Sequence, residues 1–218
     1  MNGEQPAECG AREGSTRERI LRVAAEKFAE KGFHGTGVAE LGDAAGIKRG
    51  ALYYHIGSKE DLLFHLSRRH VEEALVCGEA VVAEAVGAVE KFRLLVREHL
   101  RTLAARRSEV IVVMHEMHAL TGERAKKFKR LRVQYEQLFE KIMREGVEEG
   151  VFRSADRIEV LGVLSMLNYT YVWLDPNGPV PVDEIADRLA NLILHGAQLP
   201  ERDKAAVQRN ARQSHEYQ

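Results

Sequence analysis

Two cysteines, five prolines and one tryptophan in 218 residues each close off a class of protein. Cys9 and Cys77 are too few for a disulfide framework, so an apolar core has to hold the fold, and a reducing cytoplasm is the expected setting. Scarce proline and few alternating apolar-polar runs argue against a sheet protein. No apolar stretch is long enough to span a bilayer, and nothing at the start reads as a secretory signal, so no membrane partner is expected. Neither sign of charge dominates: 32 Lys and Arg face 33 Asp and Glu, a formal net charge of −1, whereas a domain devoted wholly to nucleic acid tends to be basic. There is no Gly-rich phosphate loop, no Ser or Cys in a nucleophile turn and no metal-ligand set, so no catalytic residue, metal or cofactor is expected.

What the chain has is helical periodicity and 44% hydrophobic residues, enough to bury a substantial core in an all-α fold. The most informative stretch runs from Glu30 to Leu63. Val38, Leu41 and Ala45 recur at helical spacing after Thr36-Gly37, and Ala44-Ala45-Gly46 supplies small residues and a position tolerant of a left-handed backbone, as a tight turn needs. The chain resumes at Ile47. There Ile47, Ala51 and Leu52 can face inward while Lys48, Arg49, Tyr53, Tyr54 and His55 point elsewhere, an outward face of cations and phenols suited to phosphates and base edges. Gly50 costs this short helix about 1 kcal/mol relative to Ala, which suggests that a DNA backbone comes close there. Ser58 and Asp61 form a capping box before Leu62, Leu63 and Leu66, and Lys59 sits where the unpaired N–H groups of a helix start could hold a phosphate. Upstream, Ser15 with Glu18 marks another start, and Ile20, Leu21, Ala24, Ala25 and Phe28 line one face of a helix ending at Gly32.

The pattern of a helix, then GF…T…V…L…AGI…GALYYHI.SKEDLL, over roughly Ser15 to Leu66, resembles the TetR family of transcriptional regulators. The resemblance implies an N-terminal three-helix DNA-binding domain with a helix-turn-helix and a C-terminal helical ligand-binding and dimerisation domain. It implies DNA contacts from Thr36, Lys48, Arg49, Gly50, Ala51, Tyr53, Tyr54, His55 and Lys59. Three positions depart from the family. Gly37 stands where Ser or Thr is usual, which removes a hydroxyl for phosphate; Gly42 replaces the usual Ala; Ile56 replaces the usual Phe and is expected to loosen packing against Leu41 and Leu52. Cations at Arg12, Arg17, Arg19, Arg22, Lys48, Arg49 and Lys59 are offset by Glu140, Glu145, Glu148 and Glu149, so two tasks are divided between two regions. The expected organisation is a tail over 1–14, a helix-turn-helix domain over 15–60, a ligand-binding and dimerisation domain over 61–199 and a tail over 200–218.

Further helices are expected to about Ala85, then over Val89–Ala105, Glu109–Leu120, Gly122–Glu149, Asp156–Trp173 and Val182–Leu199. The last two are apolar on most sides and are joined by a Pro-rich turn, Asp175 to Pro181. That pattern predicts a hairpin paired with the same hairpin of a second copy, a homodimer through Leu161, Leu164, Leu189 and Ile193. A dimer would read a near-palindromic double-stranded operator. Candidates to line an effector chamber are Phe92, Leu95, Val96, His99, Leu103, Val110, Met114, His118, Phe128, Tyr135, Phe139, Asn168, Tyr169 and Trp173. His115 and His118 share a helix face but have no third ligand, which leaves no metal site.

A second, less specific resemblance covers Tyr135–Phe152, Asn168–Gly178 and Val182–Ala186. It is to the branch of the family that regulates fatty-acid, sterol or aromatic-acid degradation and responds to acyl-CoA thioesters. Arg124, Lys126, Lys127, Lys129, Arg130 and Arg132 would then meet the phosphates. Together these readings predict a cytoplasmic, non-enzymatic repressor released by a small hydrophobic effector, with acyl-CoA as the implied class. A repressor of another hydrophobic or aromatic effector and a helical adaptor protein are the alternatives.

Overall fold

A computed structural model describes residues 16–197. The two expected tails, with Cys9, Arg12, Ser15 and Leu199, lie outside the described residues. Among the described residues the elements are all helical: α1 (Thr16–Gly35), α2 (Val38–Ala44), α3 (Arg49–Ile56), α4 (Lys59–Ala83), α5 (Ala88–Ala105), α6 (Arg107–Glu116), α7 (Gly122–Glu148), α8 (Arg157–Tyr169) and α9 (Val182–Ala197), with 3-10 turns after α6 and α8. The all-α expectation holds.

The helices sort into two compact units. One takes the chain through Glu73 together with Arg106–Leu131, and the other takes Ala74–Ala105 and the chain from Arg132 onward. Proximity in sequence therefore does not decide membership, because α6 packs extensively on α1.

In the first unit, Ile20, Leu21, Ala24, Ala25 and Phe28 are buried along α1 as their spacing predicts. Gly32 leaves helical dihedrals and one more turn follows, which brings Phe33 edge-on to Phe28 with centroids 5.4 Å apart. The corner between α2 and α3 turns at Gly46 with φ 64°, in the left-handed region that glycine tolerates. Ile47 N–H closes that corner by donating to the Gly42 carbonyl at 2.9 Å. A Cβ at Gly42 would lie 3.0 Å from the Ile47 carbonyl oxygen, so the turn is drawn tight against this glycine. Ile56 does not loosen the small core: it is buried together with Leu41 and Leu52. The capping box forms as read. Asp61 N–H donates to Ser58 Oγ at 3.0 Å, and Ser58 N–H donates to Asp61 Oδ2 at 3.1 Å. Where α6 begins, Arg106 pairs with Glu73 at 2.6 Å and with Glu109 at 3.0 Å, and Arg69 pairs with the same Glu109, whose carboxylate is buried. Burial of that carboxylate is tolerable because two guanidinium groups face it.

In the second unit, α5 and α9 pack along each other. Phe92, Leu95, Val96 and Leu100 meet Phe139, Ile142, Phe152, Leu164, Leu167, Ile193 and Leu194 in one core. Two guanidinium groups brace the edge: Arg97 donates to both oxygens of Asp187 at 2.7 and 3.0 Å, and Arg101 to both oxygens of Asp183 at 2.7 and 2.6 Å. Two-point geometry makes such pairs firmer than single surface contacts. After α7 the chain turns so sharply that the Val151 and Phe152 N–H groups both donate to the Gly146 carbonyl, at 2.8 and 2.9 Å. The Phe152 ring then lies flat against Gly146, where an added Cβ would sit 2.2 Å from the ring. Replacement of Gly146 by Ala is therefore expected to lower unfolding free energy by about 1–3 kcal/mol through overpacking, outweighing the gain in helix propensity. Urea unfolding of the variant beside the wild-type chain measures the difference.

Candidate nucleic-acid interface

α3 has only eight residues, and its sequence splits them cleanly. Leu52 and Ile56 are buried, whereas Lys48, Arg49, Gly50, Ala51, Tyr53 and Tyr54 are exposed and His55 is half-buried. Ala51, which periodicity allows on the inner face, is turned outward because Leu52 and Ile56 fill that face. Tyr54 is 88% exposed, an unusual position for a large aromatic side chain. Its ring meets the edge of His55, and Arg49 lies over the Tyr53 ring at 5.7 Å. Among the described residues, cations and phenols thus share one solvent face.

Two of the expected DNA contacts stand differently. Thr36 is 1% exposed, and its hydroxyl donates toward the Gly32 carbonyl at 2.9 Å and the Lys27 carbonyl at 3.2 Å. Its side chain caps the end of α1 and is not available to a phosphate; the correction follows from the free carbonyls that the break at Gly32 leaves behind. Lys59 is half-buried, with its ammonium 4.4 Å from the centre of the Phe33 ring and its pKa lowered by desolvation. That cation–π seat draws the ammonium toward the core of the unit. At Gly37, the N-cap of α2, no side chain bonds the helix start, in keeping with the missing hydroxyl.

Gly50 has an ordinary helical backbone, and a Cβ there would meet nothing within 4 Å. Among the described residues nothing requires glycine at this point.

The effector candidates fall in both units. Phe92, Val96, His99, Leu103, Tyr135, Phe139, Asn168, Tyr169 and Trp173 belong to the second unit, whereas Val110, Met114, His118, Phe128 and Arg130 belong to the first. Of the first-unit members, Val110 and Phe128 are ordinary core, Met114 is half-buried, and His118 and Arg130 are exposed. Arg124 is engaged with Asp61 and Lys126 with Glu123. In the second unit Phe92, Val96, Leu103 and Phe139 are buried, and Phe139 lies edge-on to both members of a polar pair. His99 Nδ1 is hydrogen-bonded to the Tyr135 hydroxyl at 2.9 Å, with the rings stacked. His99 Nε2 is buried without a well-formed hydrogen bond, although the Asn168 side chain lies close enough to favour the cation slightly. Desolvation dominates and pushes the imidazole pKa down to about 4, so the ring is neutral at physiological pH.

The four expected dimer residues also divide. Leu164 and Ile193 are core of their own unit and Leu189 packs against it, whereas Leu161 is exposed. The exposed apolar side chains of α8 and α9 are Ile158, Leu161, Met166, Tyr169 and Leu192, followed by Val172 and Trp173. Met166 and Leu192 belong to the apolar run of these helices in the sequence, and Ile158 does not; a helix apolar on most sides does not reveal by period which stripe faces inward.

Two measurements follow. Tyr54→Ala should weaken binding to operator DNA while leaving the unfolding midpoint unchanged, and Gly50→Ala should weaken it while raising stability by about 0.5–1 kcal/mol; anisotropy titration and urea unfolding read the two effects separately. Because the folded-state pKa of His99 lies below the ordinary value of 6.5, its contribution is fully present above pH 6.5 and is lost as pH falls toward 4. The loss is about 3 kcal/mol, and a His99→Gln chain should lack it in unfolding curves taken across that window.

Residues 20–66 match the family model of bacterial regulatory proteins, tetR family, and residues 85–197 match that of the tetracyclin repressor-like C-terminal domain. The HTH-type transcriptional repressor KstR2 of Rhodococcus jostii is 29% identical over 199 residues, 89% of this chain and 97% of that protein. Among solved structures, the TetR family transcriptional regulator PfmR from Thermus thermophilus is 35% identical with a TM-score of 0.76, covering 81% of this chain and 97% of its own. AibR in complex with isovaleryl coenzyme A and operator DNA is 25% identical with a TM-score of 0.73, covering 82% of this chain and 97% of its own. A helix-turn-helix with an outward basic-aromatic face, carried at the N-terminal end of a matching helical C-terminal domain, places the chain in the tetR family of bacterial transcriptional regulators, a DNA-binding regulator and not an enzyme.

Proposed function

We propose that the protein is a homodimeric repressor that binds a near-palindromic operator through α3 and is released by a small hydrophobic effector, with an acyl-CoA thioester as the favoured class. The observation that carries the DNA half of this reading is the exposed face of α3, above all Tyr54, whose large aromatic side chain is 88% exposed. Lys48, Arg49, Tyr53 and His55 surround it with donors for phosphates and base edges. Repression is supported by the likeness to a protein named as a repressor, KstR2.

A second copy of the chain is the natural cover for Ile158, Leu161, Tyr169 and Leu192. Gly162 lies on the exposed side of α8, and a Cβ there would meet nothing, which suits close approach of a partner helix. Two recognition helices related by a two-fold axis would then meet half-sites about one helical turn or a multiple apart. A lone headgroup makes few phosphate contacts and loses them readily as salt rises.

For the effector, the second unit holds a polar pair, the neutral His99 with Tyr135, against Phe139 in an apolar core. An acyl chain suits such apolar surroundings, and its thioester carbonyl or a chain hydroxyl suits the buried imidazole. The likeness to AibR, whose structure holds isovaleryl coenzyme A, supports the thioester class. α4 is a single helix of 25 residues, so an effector that shifts its second half shifts its first half and the capping box that follows α3. The effector must favour the non-binding state by a few kcal/mol to change occupancy decisively.

Mobility shift of the DNA flanking the protein's own coding region, with and without a panel of acyl-CoA thioesters and the matching free acids, tests the reading. The expected result is a shift that one class of thioester abolishes and its free acid does not. A shift indifferent to every thioester would reject that class in favour of another hydrophobic effector, and a protein that shifts no such DNA would favour the adaptor reading.

A further inference from the structure

The Asp61 carboxylate is divided between two tasks. Its Oδ2 accepts from Ser58 N–H at 3.1 Å and from the Ser58 hydroxyl at 2.6 Å, which completes the capping box after α3. Its Oδ1 accepts two donors of Arg124, Nε at 2.8 Å and Nη2 at 2.5 Å. The neighbouring Glu60 reaches the same place: its Oε1 accepts from both the N–H and the hydroxyl of Thr121 at 2.9 Å, and Arg124 Nη1 lies 3.7 Å from its Oε2. Thr121 immediately precedes α7, so Glu60 caps a helix to which it does not belong and sets a negative charge at that helix's positive end.

We propose that Thr121 and Arg124 are positioning residues for DNA recognition, fastening the first turn of α4, and through Asp61 and Ser58 the end of α3, to the corner between α6 and α7. The inference rests on the DNA-binding reading of α3. Between α3 and α4 stands Gly57, with φ 71° and no side chain. The Gly57 N–H donates to the Tyr53 carbonyl at 2.8 Å and Leu52 and Ile56 anchor α3 in the core, so what holds Ser58 sets the remaining freedom of α3 against α4. A Cβ at Gly57 would lie 2.9 Å from Asp61 Oδ2, so the carboxylate has room to serve Ser58 only because position 57 is glycine. Both carboxylates are ionised at neutral pH: Glu60 is held below the usual carboxylate range first by its bonds from Thr121, and Asp61 first by its bond from the Ser58 hydroxyl and then by Arg124. Charge-assisted bonds with two donors on one acceptor are the stronger kind and fix direction as well as distance. Because its Nε and Nη2 are spent on Asp61, Arg124 acts through the turn and not as a phosphate contact.

The test uses the full chain with Arg124→Gln, Thr121→Val, Arg124→Lys and, as a control in the second unit that breaks only an exposed i,i+4 pair with Glu140, Arg144→Gln. Binding to duplex DNA flanking the coding region is followed by fluorescence anisotropy at several salt concentrations, and amide hydrogen exchange is followed in the free protein. Arg124→Gln is expected to weaken binding about tenfold, equivalent to one broken charge-assisted contact, with the slope of log affinity against log salt unchanged and with faster exchange from Ser58 to Leu62. Thr121→Val should act in the same direction, Arg124→Lys should recover part of the affinity, and Arg144→Gln should change neither quantity. A salt slope reduced by about one would instead make Arg124 a phosphate contact and overturn the proposal. Exchange at Ser58–Leu62 equal to wild type would also overturn it, whether or not the wild-type chain binds this DNA; failure of the wild type to bind would count against the operator reading alone.

Discussion

A helix of eight residues cannot hold itself together in water, and most of the first unit can be understood as the apparatus that holds α3 in shape. Its outer face carries cations and phenols that gain nothing from folding. Stability has to come from Leu52 and Ile56, which reach a core supplied by α1 and α2, and from the fixed ends. At one end Gly46 turns the chain with a left-handed backbone; at the other Gly57 does so again. The capping box then starts α4 at once, so α3 is held between two constrained corners. The arrangement leaves the solvent side of α3 free of any structural duty, which is the condition under which it can be specified for a ligand outside the chain.

Charge is distributed by the same division of labour. In the second unit Arg97 and Arg101 are consumed by Asp187 and Asp183, and in the first Arg69 and Arg106 are consumed by Glu109 and Glu73. The near-zero net charge therefore hides a recognition helix whose cations, Lys48 and Arg49, have no carboxylate beside them in the described ion pairs. Burial rather than pairing governs the one polar fixture of the second core. His99 is neutral there because desolvation outweighs the help it receives from Asn168, and its partner Tyr135 is likewise kept protonated by burial.

The local grammar of the fold was legible in the sequence. Helix positions followed from period, the corner at Gly46 from three small residues, and the start of α4 from Ser58 and Asp61. Residues whose placement depends on contacts distant in sequence were not legible. Thr36 resembled a phosphate ligand until the break at Gly32 placed free carbonyls beside its hydroxyl. The seat of the Lys59 ammonium over Phe33 was hidden as well, because Phe33 comes from another helix. Leu161 and Leu164 could not be told apart because α8 is apolar on nearly every side, and only its packing against α5 settles which faces inward. Arg124 read as part of a cationic run on α7, and nothing in that run distinguishes it from Lys127 or Lys129; its partner lies 63 residues earlier.

The packing of α6 on α1 bears on how separable this regulator is. A DNA-binding module defined by its motif would end near residue 60, yet α6 packs on α1, and Glu60 and Asp61 find partners beyond residue 120. A headgroup excised or grafted near the motif boundary would lose the α6 cover of α1 and the donors that Thr121 and Arg124 supply to the first turn of α4. The transplantable unit of this protein is therefore discontinuous, and exchange of operator specificity with a relative is better sought in the outward side chains of α3 than in exchange of whole segments.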